Sequence, residues 1–485
     1  MSELSNNLLT ILTQIVNTLN NYLWSSLVYI LLAVGIYFTI RTRFLQIRLF
    51  KQSIRRMVVG KRVSAHAISP FQAFATGLAS RVGTGNVAGV AIAISLGGAG
   101  AVFWMWITAL IGMSSAFVES SLAQLYKIKN PDGRGYRGGP AYYITQGLGM
   151  RWLGVAFAVS LILAFGFVFN SVQANTITAV TSKAWDWNIE YVAVGLVILT
   201  APIIFGGIKR VAKVAEKIVP IMALAYLLIA VYIIITNLGE VPVVFGKIFK
   251  DAFNFSAAGG GVVGGLTAAM LNGIKRGLFS NEAGMGSAPN AAAASDAWHP
   301  ANQGLIQMLG VFVDTIVVCS CTAFIILLSG AIGTEGIDGA QITQLAIQHS
   351  VGDWGGSFLA ILLFFFCFSS IIGNYAYAES NMQFIKNSPI TLTIFRIIVL
   401  FMVYFGSVQK VGLVWDMADA SMAIMAVINL IVIVIMAPTA MLLLKDFEEQ
   451  VKEHHSPEFD ISKYPELHKK VGSDVWVKGK TEHGF

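Results

Sequence analysis

FQAFATGLASRVGTGNVAGVAIAIS, residues 71–95, is long and apolar enough to cross a bilayer, yet Ser80-Arg81-Val82-Gly83-Thr84-Gly85-Asn86 stands at its middle. An arginine and two glycines there predict a membrane helix that breaks around Gly83 and Gly85, because glycine tolerates the backbone conformations that end a helix. Inside lipid, each N–H or C=O freed by such a break costs several kcal/mol unless a polar group meets it. A small anion at the N–H groups and a cation at the carbonyls are the ligands that such a break suits.

The rest of the chain supports a membrane setting. Of 485 residues, 55% are hydrophobic and 12% charged, and the mean hydropathy is +0.68, whereas soluble domains carry roughly 25% charged residues. The 47 glycines outnumber the 12 prolines, which favours close helix packing over proline-rich linkers. Residues 1–22 contain no Lys or Arg, and the first apolar run is long enough to span, so a cleavable signal peptide is not expected. Cys319, Cys321 and Cys367 all lie in apolar segments. They read as small packing residues, with no disulfide or metal framework.

Hydropathy predicts an all-α integral membrane protein of about eleven spans, near 23–41, 71–96, 101–124, 152–180, 191–206, 214–236, 258–284, 305–330, 358–379, 391–407 and 414–444. The basic residues orient them. Apart from Arg81, Lys275, Arg276 and Arg396 within spans, only Lys183, Lys247, Lys250 and Lys410 leave the side that holds all the other Lys and Arg. The positive-inside rule then puts the N-terminus outside and the C-terminus in the cytoplasm. The net charge of +7 reflects that orientation, and no nucleic-acid surface is implied.

Eleven spans divide into one accessory helix and ten core helices. Splitting the ten into five and five puts a polar, glycine-interrupted segment first in each half: 80–86 in one, and NGIKRGLFSNEAGMG, residues 272–286, in the other. Paired breaks in halves of opposite orientation point to an inverted repeat with a binding site between the halves, as in secondary transporters. The expected divisions are 1–67, an accessory helix and basic linker; 68–236 and 237–444, the two repeats; and 445–485, a polar cytoplasmic tail that is regulatory or merely solvated.

Several motifs carry a resemblance. Residues 71–106, RGGPAYY at 137–143, VQAN at 172–175, KRGLFSNEAGMGSAPNAAAA at 275–294 and SSIIGNYAYAE at 369–379 are similar to the alanine or glycine:cation symporter family. The resemblance implies a fold like that of the bacterial leucine transporter, with ten core helices in a five-plus-five inverted repeat. It also implies sodium-coupled uptake of a small neutral amino acid at the plasma membrane, with no cofactor beyond the coupling ion.

By that resemblance the amides near Thr84 and Gly85 hold the substrate carboxylate, in accord with the affinity of helix N-termini for anions. Ser369 and Ser370 lie at a sodium site completed by the carbonyls of Ala79, Val82 and Phe366, and oxygen ligands suit a hard cation. Ser370 borders the substrate site as well. Asn170 belongs to the substrate pocket, and Phe167, one turn away, supplies an apolar wall. Asn272, Gly273 and Gly277 lie where the second break is expected to open.

Two positions depart from the commoner family pattern, which has a small polar residue at 81 and a tryptophan at 374. Here they are Arg81 and Asn374. An arginine at membrane depth costs about 2.5 to 3.5 kcal/mol on insertion scales, so it should face the substrate or a carboxylate such as Glu282, Asp314 or Glu119. An asparagine in place of an indole leaves a larger, more polar pocket, which keeps glutamine in play beside alanine and glycine. Proton coupling is a further alternative.

Enzyme and channel readings find little in the sequence. There is no HExxH pair, and Gly479-Lys480-Thr481 matches only the end of a phosphate-binding loop. Channels present rings of charge or carbonyl groups, whereas this chain holds one asymmetric site.

Overall fold

The computed structural model describes residues 2–59, 68–130, 135–253, 268–454, 457–471 and 474–477. The motif at Gly479 and the first part of the expected span 258–284 lie outside them. Among the described residues, eight helices are long and apolar enough to span, including Thr10–Arg41, Gly100–Leu125, Arg151–Trp185, Pro300–Ser329 and Trp354–Ile385. The other three expected spans are the broken segment at 70–97, the short apolar helix Ile189–Ile204 and the helix Ala268–Asn281. The only strands among the described residues form a two-residue antiparallel ladder, Ile128–Lys129 against Tyr136–Arg137.

The first broken helix begins where Ser69 caps the chain. Its hydroxyl accepts from the Gln72 N–H, the Gln72 side chain accepts from the Ser69 N–H, and Pro70 occupies the first helical position. Helix Pro70–Arg81 then stops at Val82, which is extended (φ −76°, ψ 96°). The chain resumes as a π-helical turn, Gly85–Gly89, and continues as helix Val90–Gly97. The break falls where the sequence places it. Its glycines serve a different need, since neither Gly83 nor Gly85 has a positive φ; both are required by close approach of neighbours.

The second break differs from expectation in position. Ala268–Asn281 is a continuous helix, so Asn272, Gly273 and Gly277 lie on unbroken backbone. The chain opens only afterwards, at Glu282 (φ 59°), Gly284 (φ 85°) and Gly286 (φ 84°), before the short helix Pro289–Ala294. Left-handed backbone at 284 and 286 is what glycine supplies without steric cost. A buried carboxylate holds this turn: Glu119 accepts from the N–H groups of Gly284 and Gly286, each at 3.2 Å, and from Asn429 Nδ2 at 2.7 Å. Tyr143 donates in turn to Asn429.

The accessory helix Ser2–Arg41 packs against Val411–Ile435 and Gly100–Leu125, with Trp24 donating to the Asp419 carbonyl at 3.2 Å. At the other end of the chain the described part of the tail is docked. Helix Ala437–His454 runs through the expected boundary at 445. Asp446 then receives His299 Nε2 at 2.9 Å and the Tyr464 hydroxyl at 2.7 Å, while the Trp476 indole donates to the carbonyls of Gln124 and Leu125, which close helix Gly100–Leu125.

Glu119→Ala should leave two amides and the Asn429 side chain without their acceptor in a buried place, at about 1 to 3 kcal/mol per orphaned group. The purified variant is expected to melt well below wild type, with Glu119→Gln intermediate. Equal melting temperatures for the three proteins would contradict this account of the second break.

Candidate functional site

The site is built from the first break outward. Helix Trp354–Ile385 brings Ser370 against it, and the Ser370 hydroxyl lies 2.9 Å from the Ala79 carbonyl, 3.3 Å from that of Val82 and 3.0 Å from that of Phe366. Ser369 Oγ donates to the Phe366 carbonyl at 2.9 Å. All five residues are buried. The structure thus brings the Ser370 hydroxyl to all three expected carbonyls, while Ser369 bonds back within its own helix, to the Phe366 carbonyl. These are hard, uncharged oxygen donors, a set that fits a small monovalent cation such as sodium.

Immediately beyond, the amides of Gly83 and Thr84 have side-chain partners. The Gly83 N–H donates to Asn86 Oδ1 at 3.0 Å, and Gln173 Oε1 accepts from both the Thr84 N–H at 2.9 Å and the Thr84 hydroxyl at 2.8 Å. Asn86 Nδ2 continues to Asp314 Oδ1 at 2.6 Å, and Ser280 Oγ reaches Asp314 Oδ2 at 2.8 Å. Asp314 therefore links the first break to the helix that leads into the second. A Cβ on Gly85 would meet Phe279 Cδ1 at 3.0 Å and Ser280 Cα at 3.1 Å, so this glycine allows the two broken helices to touch.

The aromatic wall differs from expectation. Phe279 packs, tilted, between Phe169, at 4.6 Å and 37°, and Trp415, at 4.7 Å and 44°. Phe167 instead packs on Phe395 at 6.1 Å. The π-helical turn Ile162–Val168 contains Phe167, ends just before Phe169 and adds a residue to the local repeat. Asn170 Nδ2 donates to the Gly166 carbonyl of its own helix at 3.0 Å, leaving its buried Oδ1 without a partner. Asn272 likewise bonds back to Ala268 O, at 2.9 Å. Gly273 and Gly277 face Ala101, Trp104, Met105 and Thr108, where they let Ala268–Asn281 approach Gly100–Leu125. The structure does not bring these three residues to the first break.

Arg81 is buried, and among the described residues no carboxylate comes within ion-pair distance of it. Its Nε donates to the Asn281 carbonyl at 2.9 Å and its Nη1 to Gln307 Oε1 at 3.1 Å. Asn281 ends its helix, so the guanidinium caps a C-terminus, where the helix dipole favours positive charge. Glu282, one of its expected partners, accepts from Ser80 and Ser287. Ser80 Oγ also lies 2.7 Å from Asn374 Oδ1, while Asn374 Nδ2 is unpartnered. The other basic residues within spans do find carboxylates: Lys275 and Arg276 meet Asp419, and Arg396 meets Glu379. Sequence reasoning missed Gln173, although it stands inside the VQAN motif, and it missed Asn86 and Ser280 as partners of Asp314.

Gly83 is the tighter of the two glycines at the break. A Cβ there would run into Ser370 Oγ and lie 2.7 Å from Gln173 Oε1, whereas one on Gly89 would rest 3.5 Å from Trp415, an ordinary contact. Gly83→Ala should reduce sodium-dependent amino-acid binding at least about tenfold, an effect of roughly 1.4 kcal/mol, while Gly89→Ala stays near wild type. Equal binding by both variants, measured on purified protein, would place the site elsewhere.

Comparison with known proteins agrees with this architecture. The sodium:alanine symporter family model matches residues 9–461. An uncharacterized transporter of Haemophilus influenzae is 56% identical, covering 98% of this chain and 99% of its own. The amino-acid carrier protein AlsT of Bacillus subtilis is 49% identical, covering 96% of this chain and 98% of its own. The probable sodium/glutamine symporter GlnT of the same organism is also 49% identical, covering 93% of each chain. With nearly its full length matched, and with its apolar helices broken around buried oxygen donors, the chain belongs to the sodium:alanine symporter family and is a multi-pass membrane transporter, not an enzyme.

Proposed function

We propose that this transporter couples sodium entry to uptake of a small neutral amino acid such as alanine or glycine, by alternating access. The observation that carries the proposal is the convergence of the Ser370 hydroxyl on the carbonyls of Ala79, Val82 and Phe366. Two of those carbonyls belong to the broken helix and one to Trp354–Ile385. A cation among them joins two elements that alternating access must move apart. The substrate carboxylate takes the Thr84 and Gly85 amides next to the ion, and the unpartnered Asn170 Oδ1 suits the α-ammonium as an acceptor.

In this reading the helices from 70 to 435 work as two five-helix halves, with the N-terminus outside and the C-terminus in the cytoplasm. A zwitterion moving with one sodium carries net charge inward, driven by about 2.3 kcal/mol per charge per 100 mV of membrane potential. A second reading, uptake of glutamine, is favoured by one feature. Asn374 Nδ2 is buried without a partner, and such a donor suits the side-chain carbonyl of an amide substrate. The relative named as a glutamine symporter is as similar as the amino-acid carrier.

Proteoliposome uptake of labelled alanine, glycine, serine and glutamine should require an inward sodium gradient. Ser370→Ala should raise the sodium concentration for half-maximal uptake about tenfold, as expected when one oxygen ligand worth roughly 1.4 kcal/mol is removed. Glutamine outcompeting alanine would favour the second reading. Full uptake under a proton gradient alone, or sodium dependence unchanged in Ser370→Ala, would overturn the sodium proposal.

A further inference from the structure

We infer that the Gln173 side chain is a built-in competitor for the substrate carboxylate, an inference that rests on the reading above that this carboxylate takes the Thr84 amide. Gln173 Oε1 accepts from the Thr84 N–H at 2.9 Å and from the Thr84 hydroxyl at 2.8 Å. Both residues are buried. An amide oxygen is an sp² acceptor like that of a carboxylate, but uncharged, so it satisfies the same donors more weakly. Hydrogen bonds to a charged acceptor are about twice as strong as neutral ones. A carboxylate arriving at Thr84 therefore wins the N–H, and Gln173 Oε1 has to give way.

The surroundings fit an exchange of this kind. Gln173 lies one turn beyond Phe169, whose ring packs on Phe279, so a residue of the aromatic wall and the competing amide share one stretch of helix Phe169–Trp185. Gly83 forms the floor between the amide and the ion ligands, since a Cβ there would touch Ser370 Oγ as well as Gln173 Oε1. Thr84 Oγ1 also lies 3.2 Å from Cys367 Sγ, on the helix that carries Ser370. The amide that yields to the carboxylate thus stands next to the oxygen atoms that meet sodium. Gln173 tunes affinity downward and keeps the buried donors of Thr84 satisfied whenever the carboxylate leaves, which favours release.

Removing the competitor should tighten binding. Gln173→Leu and Gln173→Met leave the Thr84 N–H without an acceptor, and its hydroxyl only the weak acceptor Cys367 Sγ, until a carboxylate arrives, so affinity is expected to rise about tenfold, the equivalent of roughly 1.4 kcal/mol, while turnover falls. Gln173→Glu fixes a competing carboxylate on Thr84 and should weaken binding at least tenfold. The probe is whichever labelled amino acid among alanine, glycine and glutamine binds wild type saturably in sodium, with alaninamide as the comparison that lacks the carboxylate.

Weaker or unchanged binding in the Leu and Met variants would overturn the inference, and damaged packing alone would not produce a gain in affinity. Two variants of different shape guard against one failing to fold. If wild type binds none of the three amino acids in sodium, the proposed function fails. If wild type binds alanine and alaninamide equally, transport stands and the role given to Gln173 falls.

Discussion

A backbone amide or carbonyl released at membrane depth finds no water, and this constraint organises the whole molecule. The two breaks meet it in different ways. At the second, the partners are held from several sides: Glu119 receives the amides of Gly284 and Gly286 and the Asn429 side chain, and Arg81 caps the carbonyl of Asn281. At the first, the partners are neutral: the amides of Asn86 and Gln173 and the hydroxyl of Ser370. A cap held from several sides is costly to remove, whereas a single neutral amide oxygen yields to an ion. The division suits a carrier in which the second break is scaffold and the first exchanges partners with its cargo.

Much of the first break was legible in the sequence, because an arginine and glycines within an apolar run of spanning length admit few bland explanations. The proposed ion ligands were legible only through resemblance, since a serine in a membrane helix commonly bonds to its own backbone, as Ser369 does. The second break was misplaced for a definable reason. Glycine marks close helix contact as readily as broken backbone, and Gly273 and Gly277 do the first while Gly284 and Gly286 do the second. Phe167 was chosen from regular helical spacing, which does not allow for the π-helical turn Ile162–Val168; Phe169 holds the position against Phe279. The docked tail was illegible because polar composition hides its few anchors, Phe459, Tyr464 and Trp476.

Arg81 shows how structure can answer a question in terms that sequence did not offer. The expected alternatives were an ion pair or direct contact with substrate. The guanidinium forms no ion pair among the described residues; it joins the end of one broken helix to the end of the other, with Gln307 as its second acceptor and its Nη2 unpartnered. Glu119, Glu282 and Asp314, its expected carboxylate partners, are held by amides and hydroxyls. These buried side chains form a hydrogen-bonded framework that spans both breaks and leaves the neutral donors around Gly83 free to change partners.

The most direct measurement is a cryo-electron-microscopy map of the carrier in nanodiscs with sodium and its preferred amino acid at saturation. The account predicts ion density within oxygen-ligand distance of the Ala79, Val82 and Phe366 carbonyls and of Ser370, with the substrate carboxylate on the Thr84 amide. Density for both ligands beside Gly284 and Gly286, with the first break still capped by its own side chains, would contradict it.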